Sequence, residues 1–298
     1  MSARSTNPES PDRRAELIET LADGIDRLVT TEAWQDYLDV QARFHAYSFS
    51  NTMLIFSQRP RATQVMAKGK QDGSTGWMSL GREVIEGERP IWVWAPAFRK
   101  ETDPETGEDG RRVYFVAVKV YDIAQTEGAE LPHPARKLTG EAPEGMIARV
   151  VAYISSIGYD VEFLPVIPGS AANGDTTYGL RRVRVATEGR STMGQLKTLL
   201  HEAGHALLHE NSDAPAELKE LEAESVAYVA AAALGADTSD YTFGYVLTWM
   251  GGSPRRTRKA IKTSGARIQK TARQIIDGMP ADSAVAPAGS GIAEDVAA

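Results

Sequence analysis

The chain has 298 residues, 33 Lys and Arg against 40 Asp and Glu, a net charge of −7 and no cysteine. Its length suits two domains, and 42% hydrophobic with 24% charged residues is the composition of a folded protein rather than a disordered chain. Zero cysteine excludes disulfides, thiolate nucleophiles and thiolate-held zinc, so a metal here must rest on His and carboxylate.

Leu17, Ile18, Leu21, Ile25, Leu28 and Val29 recur at three- and four-residue spacing, which predicts a first helix. Trp34, Leu38, Phe44 and Tyr47 predict a second. Met53 to Phe56, entered from Ser50-Asn51, predict a third that stops before Pro60. After Gly81 the pattern turns to β, with strands at Ile91–Trp94 and Val113–Tyr121 around an exposed hairpin loop at 102–110. Residues 1–125 thus read as an α+β domain. Residues 126–144, with three Pro and two Gly, read as a linker. A second domain, 145–278, opens with a helix over 144–156 and strands at Tyr159–Val166 and Tyr178–Ala186. Two strong helices follow at Thr192–His209 and Ala216–Leu234, the first with Thr192 and Gln195 as a capping box. A Tyr/Trp segment at Tyr241–Met250 and a basic helix from Pro254 to Ile276 complete it. The end, 279–298, rich in Ala, Gly, Ser and Pro, is expected to be disordered.

Charge divides unevenly among these parts. Residues 1–125 carry 16 basic and 19 acidic side chains, 126–252 carry 9 and 17, and 253–276 carry 8 and none. The total is therefore an average and does not by itself exclude a local nucleic-acid surface. No apolar run approaches the roughly 20 residues of a membrane span. Met1 to Arg14 lacks the apolar core of a secretory signal, so the expected compartment is the cytoplasm.

The most informative string is His201-Glu202-Ala203-Gly204-His205. On a helix, residues i and i+4 share a face, so both imidazoles address one ion. Glu202 lies beside the first, placed to handle the protons of a water without ligating the metal. That is the pattern of a zinc hydrolase. A chance match in a chain with five His arises on the order of once in a hundred sequences. A catalytic zinc takes a third protein ligand. His209 lies one turn too far along the helix and reads as a helix-end residue. Glu220 and Glu224 share a face of the next helix, whereas Glu222 points away from them. Glu220 is assigned as third ligand and Glu224 as the partner of a ligand histidine. Mn or Fe would also suit two His and a carboxylate.

These residues carry a resemblance. His201–His205 followed by Glu220-x-x-Ala223-Glu224-x-x-Ala227 resembles the zincin-like peptidases of the ImmA/IrrE group, with Glu224 standing where that pattern has Asp or Asn. Phe44–Asn51, Leu54–Pro60, Ala62-Thr63, Trp77, Gly81–Val84, Gly87-Glu88 and Tyr121–Gly128 are similar to the N-terminal domain of ArdC-type antirestriction proteins. Together the matches cover about two-thirds of the chain. The resemblance implies a zincin-like metallopeptidase domain, a Zn²⁺ cofactor, and a first domain that binds single-stranded DNA.

Single-strand binding needs aromatic faces and a positive groove. The candidates are Tyr47, Phe49, Trp77, Trp92 and Trp94, with Arg43, Arg59, Arg61, Lys68, Lys70 and Arg82, and the loop-like Arg59-Pro60-Arg61 and Lys68-Gly69-Lys70 are preferred. The basic helix either binds phosphates or docks on the acidic middle through Ala260, Ile261, Ile268, Ala272 and Ile275. In the peptidase reading, Glu202 is the general base and Tyr178 a candidate for stabilising the oxyanion. The Leu180–Val185 strand would pair with an extended protein or peptide substrate, its Arg181, Arg182 and Arg184 favouring acidic ones. Two alternatives remain: a DNA-binding antirestriction protein with a structural zinc, and an ImmA-like protease of one protein partner.

Overall fold

The computed structural model describes residues 11–28, 31–70, 75–102, 109–131, 141–236, 238 and 254–281. The Tyr241–Met250 segment, the tip of the 102–110 loop, the middle of the 126–144 stretch and nearly all of the 279–298 tail lie outside them. The chain divides into two compact units, Met1–Pro134 with Phe243–Gln269 and Ala135–Thr242 with Lys270–Ala298. Both combine helices and sheet, in keeping with the α+β expectation. Among the described residues no helix is long and apolar enough to cross a membrane.

The first unit is built on a long antiparallel hairpin, β3 (Ile91–Thr102) with β4 (Asp109–Asp122), to which β1 (Val65–Met66) adds along β4. Alternation sends Ile91, Val93 and Val120 to one face, where they pack with Val40, Phe44, Ile55 and Val65. Trp92, Trp94 and Ala117 go to the other, against Leu17 and Leu54. Helices α1 (Pro11–Arg27), α2 (Thr31–Arg43) and α3 (Phe49–Gln58) therefore cover both faces of the hairpin's base. Met53, Leu54 and Ile55 are consecutive and all buried, as befits a helix enclosed on several sides. The outer edge of β3 is closed by side chains of α3. Asn51 donates to Trp94 O and accepts from Trp94 N, both at 2.8 Å, and Gln58 does the same for Trp92 at 2.9 and 3.0 Å. Two carboxamides thus replace a neighbouring strand.

A smaller ladder pairs β2 (Arg82–Val84) with β5 (Thr126–Gly128), so the stretch read as linker begins in a strand. Between them buried Asp122 accepts from Thr63 N, Gln64 N and Ala124 N, and Gln125 completes a capping box with it.

The second unit opens with α4 (Met146–Ser156) and a three-stranded sheet ordered β6-β8-β7. Its strands are β6 (Asp160–Leu164), β7 (Gly174–Thr177) and β8 (Arg182–Ala186), with β8 parallel to β6 and antiparallel to β7. The strand expected over 178–186 is broken: Tyr178–Leu180 form a 3₁₀ turn and Arg181 takes φ 47°, so the chain reverses direction there. Two helices follow, α5 (Thr192–Leu208) and α6 (Ala216–Ala233). Ser191, rather than Thr192, caps α5, because Ser191 has the extended backbone a cap needs and its Oγ accepts from Gly194 N at 3.1 Å. Thr192 Oγ1 instead accepts from Ala142 N. Leu196, Leu199, Leu200 and Ala203 bury the inner face of α5.

The last helix, α7 (Pro254–Gly278), contributes residues up to Gln269 to the first unit and the remainder to the second. Of the two readings left open for this helix, docking on the acidic middle domain does not hold for its first part. Gly265 lies against the Phe49 ring, and Gln269 donates to the carbonyl of His45. Its Ile261, Ile268, Ala272 and Ile275 are fully buried.

Candidate metal centre

One helical turn separates His201 from His205 on α5, and their Nε2 atoms face each other at 3.0 Å. Glu220 of α6 closes the triangle, with Oε2 3.4 Å from His201 Nε2 and Oε1 3.3 Å from His205 Nε2. Donors about 2.0–2.1 Å from a tetrahedral ion stand about 3.3 Å from one another, so the three side chains already hold a spacing close to that of a ligand set. Among the described residues these are the one group of three whose ligand atoms all lie within 4.8 Å of one another. Two imidazoles and a carboxylate suit Zn, Mn or Fe.

Two helix backbones must approach closely for α6 to deliver Glu220 there. Gly204 faces the α6 backbone, and a Cβ at that position would stand 3.1 Å from Ala223 Cα. A glycine on α5 and an alanine on α6 therefore set the helix separation at the level of the site.

The electrostatics favour a cation at this point. Burial opposes a charge on His201, but hydrogen bonds to Glu220 and Glu224 outweigh it and raise its pKa to about 10. Hydrogen bonds from His201 and His205 hold the Glu220 carboxyl far below its usual range. Glu224 Oε2 lies 2.9 Å from His201 Nδ1, where it fixes the orientation of that ring.

The corresponding arrangement around His205 is one that the sequence reading passed over. His205 Nδ1 lies 3.0 Å from His209 Nδ1, and His209 Nε2 lies 3.1 Å from Glu222 Oε2. His209 does cap the end of α5, yet it is buried. Glu222 does point away from Glu220 and Glu224, but into the protein, where it is fully buried. A glutamate on the apolar side of α6 and a histidine one turn beyond the motif on α5 were the available signals.

Glu202 is buried beneath the same triangle, which raises its carboxyl pKa, and Thr176 donates to its Oε2 at 2.7 Å. Thr176 belongs to β7, the edge strand, which with Asn173, Tyr178, Arg190 and Lys197 lines a cleft of about 810 Å³ that includes His201, Glu202, His205 and Glu220. Burial and the nearby charges of Tyr159, Glu202 and Glu220 raise the Tyr178 hydroxyl to about 12, so at neutral pH it is a donor. Gly174 permits this contact between strand and helix: a Cβ there would meet Thr198 Cγ2 at 2.6 Å, Arg184 O at 2.8 Å and Glu202 Cγ at 3.1 Å. Gly174→Ala is expected to destabilise the protein by about 1–3 kcal/mol, read as a lower urea midpoint, because β7 is pinned to β8 on its other side.

The substrate strand needs correcting. β8 is paired on both sides, by β6 and β7, so it has no free edge; the strand beside the cleft is β7. Nor are the arginines spare. Arg181 pairs with Glu210, Arg182 with Glu162 and Arg184 with Asp175.

In the first unit six of the nucleic-acid candidates, Trp77, Arg82, Arg59, Arg61, Lys68 and Lys70, separate sharply. Trp77 is fully buried and donates to Tyr121 O, so it has no face to offer a base. Arg82 spends its guanidinium on Thr126 and Ala129, and Arg59 lies between Glu88 and buried Asp122. Arg61, Lys68 and Lys70 are exposed. The exposed aromatics are others: Phe98, Tyr114 and Phe115, on the outer half of β3–β4. Phe98 pairs with Val113, and Phe115 with Pro96, which places both phenyl rings on one face.

No protein-family model matches the chain, and no curated protein does. Among solved structures, it is similar to the metal-free crystal structure of the antirestriction protein ArdC from the R388 plasmid. The identity is 21%, over 78% of this chain and 85% of that one, with a TM-score of 0.52. The Mn(II)-bound structure of the same protein matches at 19% identity over 78% and 84%, with a TM-score of 0.49. The chain thus has an ArdC-like fold.

Proposed function

We propose that the second unit is a metal-dependent peptidase of the zincin-like kind. The observation that carries this reading is the convergence of His201, His205 and Glu220 beside a buried, hydrogen-bonded Glu202 in an open cleft. A divalent ion held by the three ligands supplies Lewis-acid activation of a water and of the scissile carbonyl. Thr176 holds Glu202 in place. The Glu202 carboxylate takes a proton from the attacking water as its oxygen bonds to the carbonyl carbon, then delivers that proton to the amine nitrogen as the C–N bond breaks. Tyr178, protonated at neutral pH, donates to the developing oxyanion. The edge of β7 is the place for an extended substrate to add as a strand.

The test is hydrolysis of casein or a mixed peptide library by chain stripped with a chelator and reloaded with Zn²⁺ or Mn²⁺. Cleavage that disappears on stripping and returns with one equivalent of metal supports the reading. Metal bound without any cleavage favours a structural ion instead.

The likeness in fold to an antirestriction protein supports a second element, the binding of single-stranded DNA by the first unit. The exposed rings of Phe98 and Phe115, with Arg111 lying 5.4 Å over Phe98, supply stacking faces beside a cation, and Arg61, Lys68 and Lys70 are open to phosphates. Phe98→Ala with Phe115→Ala should weaken binding of an oligothymidylate by about 1–3 kcal/mol per stacked base, measured by fluorescence anisotropy, whereas Trp77 fluorescence should not respond. Salt-independent or absent binding points instead to a protease that uses this unit to recognise a protein.

A further inference from the structure

The two ligand histidines are held by different devices. His201 meets a carboxylate directly, at Glu224, whose side chain is 32% exposed. On its Nδ1 side His205 meets another histidine, His209, and that one meets a carboxylate. The geometry points to Glu222 and His209 as a buried relay of positioning residues, which fixes the tautomer and ring orientation of His205 and so aims its Nε2 lone pair at the metal position. This inference rests on the reading of His201, His205 and Glu220 as ligands.

The argument is one of proton placement. Three contacts run in series: His205 Nε2 against His201 Nε2 at 3.0 Å, His205 Nδ1 against His209 Nδ1 at 3.0 Å, and His209 Nε2 against Glu222 Oε2 at 3.1 Å. A metal-binding nitrogen must present a lone pair, so a neutral ligating His205 carries its proton on Nδ1. That Nδ1–H donates to His209 Nδ1, which must then be the bare nitrogen of its ring. The His209 proton consequently sits on Nε2 and donates to Glu222, which accepts. Each ring nitrogen has one role, and the chain closes on a carboxylate. The opposite placement, with His209 donating to His205 Nδ1, puts a proton on His205 Nε2 and removes it as a ligand. The second arrangement would also leave a bare His209 Nε2 facing a carboxylate oxygen at 3.1 Å, whereas the first sets a donor against an acceptor there.

Burial makes the relay a fixed structure. The side chains of His209 and Glu222 are 0% and 1% exposed, so solvent does not take over either contact. The backbone contributes as well, since His209 N donates to His205 O at 2.9 Å. From α6, Glu222 and Glu224 thus orient the two histidines of α5 separately.

The experiment uses the full chain with Zn²⁺ or Mn²⁺ alone as ligand, titrated by calorimetry, and ¹⁵N imidazole shifts of the metal-free protein. In wild type, His205 should be the Nδ1–H tautomer and His209 the Nε2–H tautomer. His209→Phe, which keeps a ring but no acceptor, should weaken metal binding by about 10–100-fold. Glu222→Gln keeps an acceptor oxygen and should lose less. The double variant should be no weaker than His209→Phe, because without the imidazole Glu222 has nothing to relay. The His201 Nδ1–H signal should stay unchanged throughout, which a general loosening of the fold would not allow. Unchanged affinity in His209→Phe, additive losses in the double variant, or a His205 Nε2–H tautomer in wild type would each overturn the relay. Should His209→Phe not fold, Glu222→Gln and the wild-type tautomers decide. A chain that binds no metal but shows the stated tautomers refutes the metal-centre reading, and with it the relay's role at a metal, while the proton placement itself holds.

Discussion

Glu202→Gln is expected to leave metal content unchanged and to lower the rate of hydrolysis by about 10²–10⁴-fold. Gln offers the same carbonyl oxygen to Thr176 Oγ1, so the side chain stays where the 2.7 Å contact holds it. What it lacks is a group that takes a proton from water and returns it to an amine. Burial raises the Glu202 pKa, which suits a carboxylate that must hold a proton between two steps. The measurements are metal per chain by elemental analysis and initial rates on the substrate found for wild type. A variant as active as wild type removes Glu202 from the mechanism; a variant without metal makes it a ligand.

His201→Ala should abolish metal binding. The substitution removes one of three donors and leaves Glu224 without the ring it orients. For a ligand that binds only the folded state, metal at a thousandfold excess over its dissociation constant stabilises by about 4.1 kcal/mol. Wild type should therefore show a rise in melting temperature on adding metal that chelator reverses, and His201→Ala should show none. Equal shifts in both proteins would mean that the ion binds elsewhere. His205→Ala should behave likewise, since its Nε2 stands at 3.3 Å from Glu220 on the same triangle.

Much of the second unit was legible because its signals are local. The i, i+4 histidines, the leucine stripe of α5 and the Glu220/Glu224 pair on α6 each follow from helix periodicity, and a short turn at 211–215 joins the two helices. The edge strand was not legible. Gly174-Asp175-Thr176-Thr177 has no apolar alternation, and it is a strand because β8 pairs with it. The richer apolar string at 178–186 attracted the assignment instead, although the left-handed turn at Arg181 divides it. His209 and Glu222 escaped notice because their partnership spans two helices and shows only once these are packed. In the first unit Trp77 looked available in a glycine-flanked loop, yet the loop folds its indole inward to Tyr121 O. Aromatic residues at strand spacing proved to be divided by distance along the hairpin: those near its base are covered by helices, and Phe98 and Phe115, farther out, are not.

The close approach of α5 and α6 at Gly204 bears on which ions the protein can use. Two of its donors are mounted on one helix, and the third, Glu220, reaches across from a helix whose backbone meets Gly204 at Ala223. Calcium takes six to eight oxygens at about 2.3–2.6 Å, whereas here two of the three donors are nitrogens whose lone pairs meet across 3.0 Å. A nitrogen-seeking ion would suit the proposed centre better. Under the proposed reading, the nitrogen donors and the small number of oxygens would disfavour calcium.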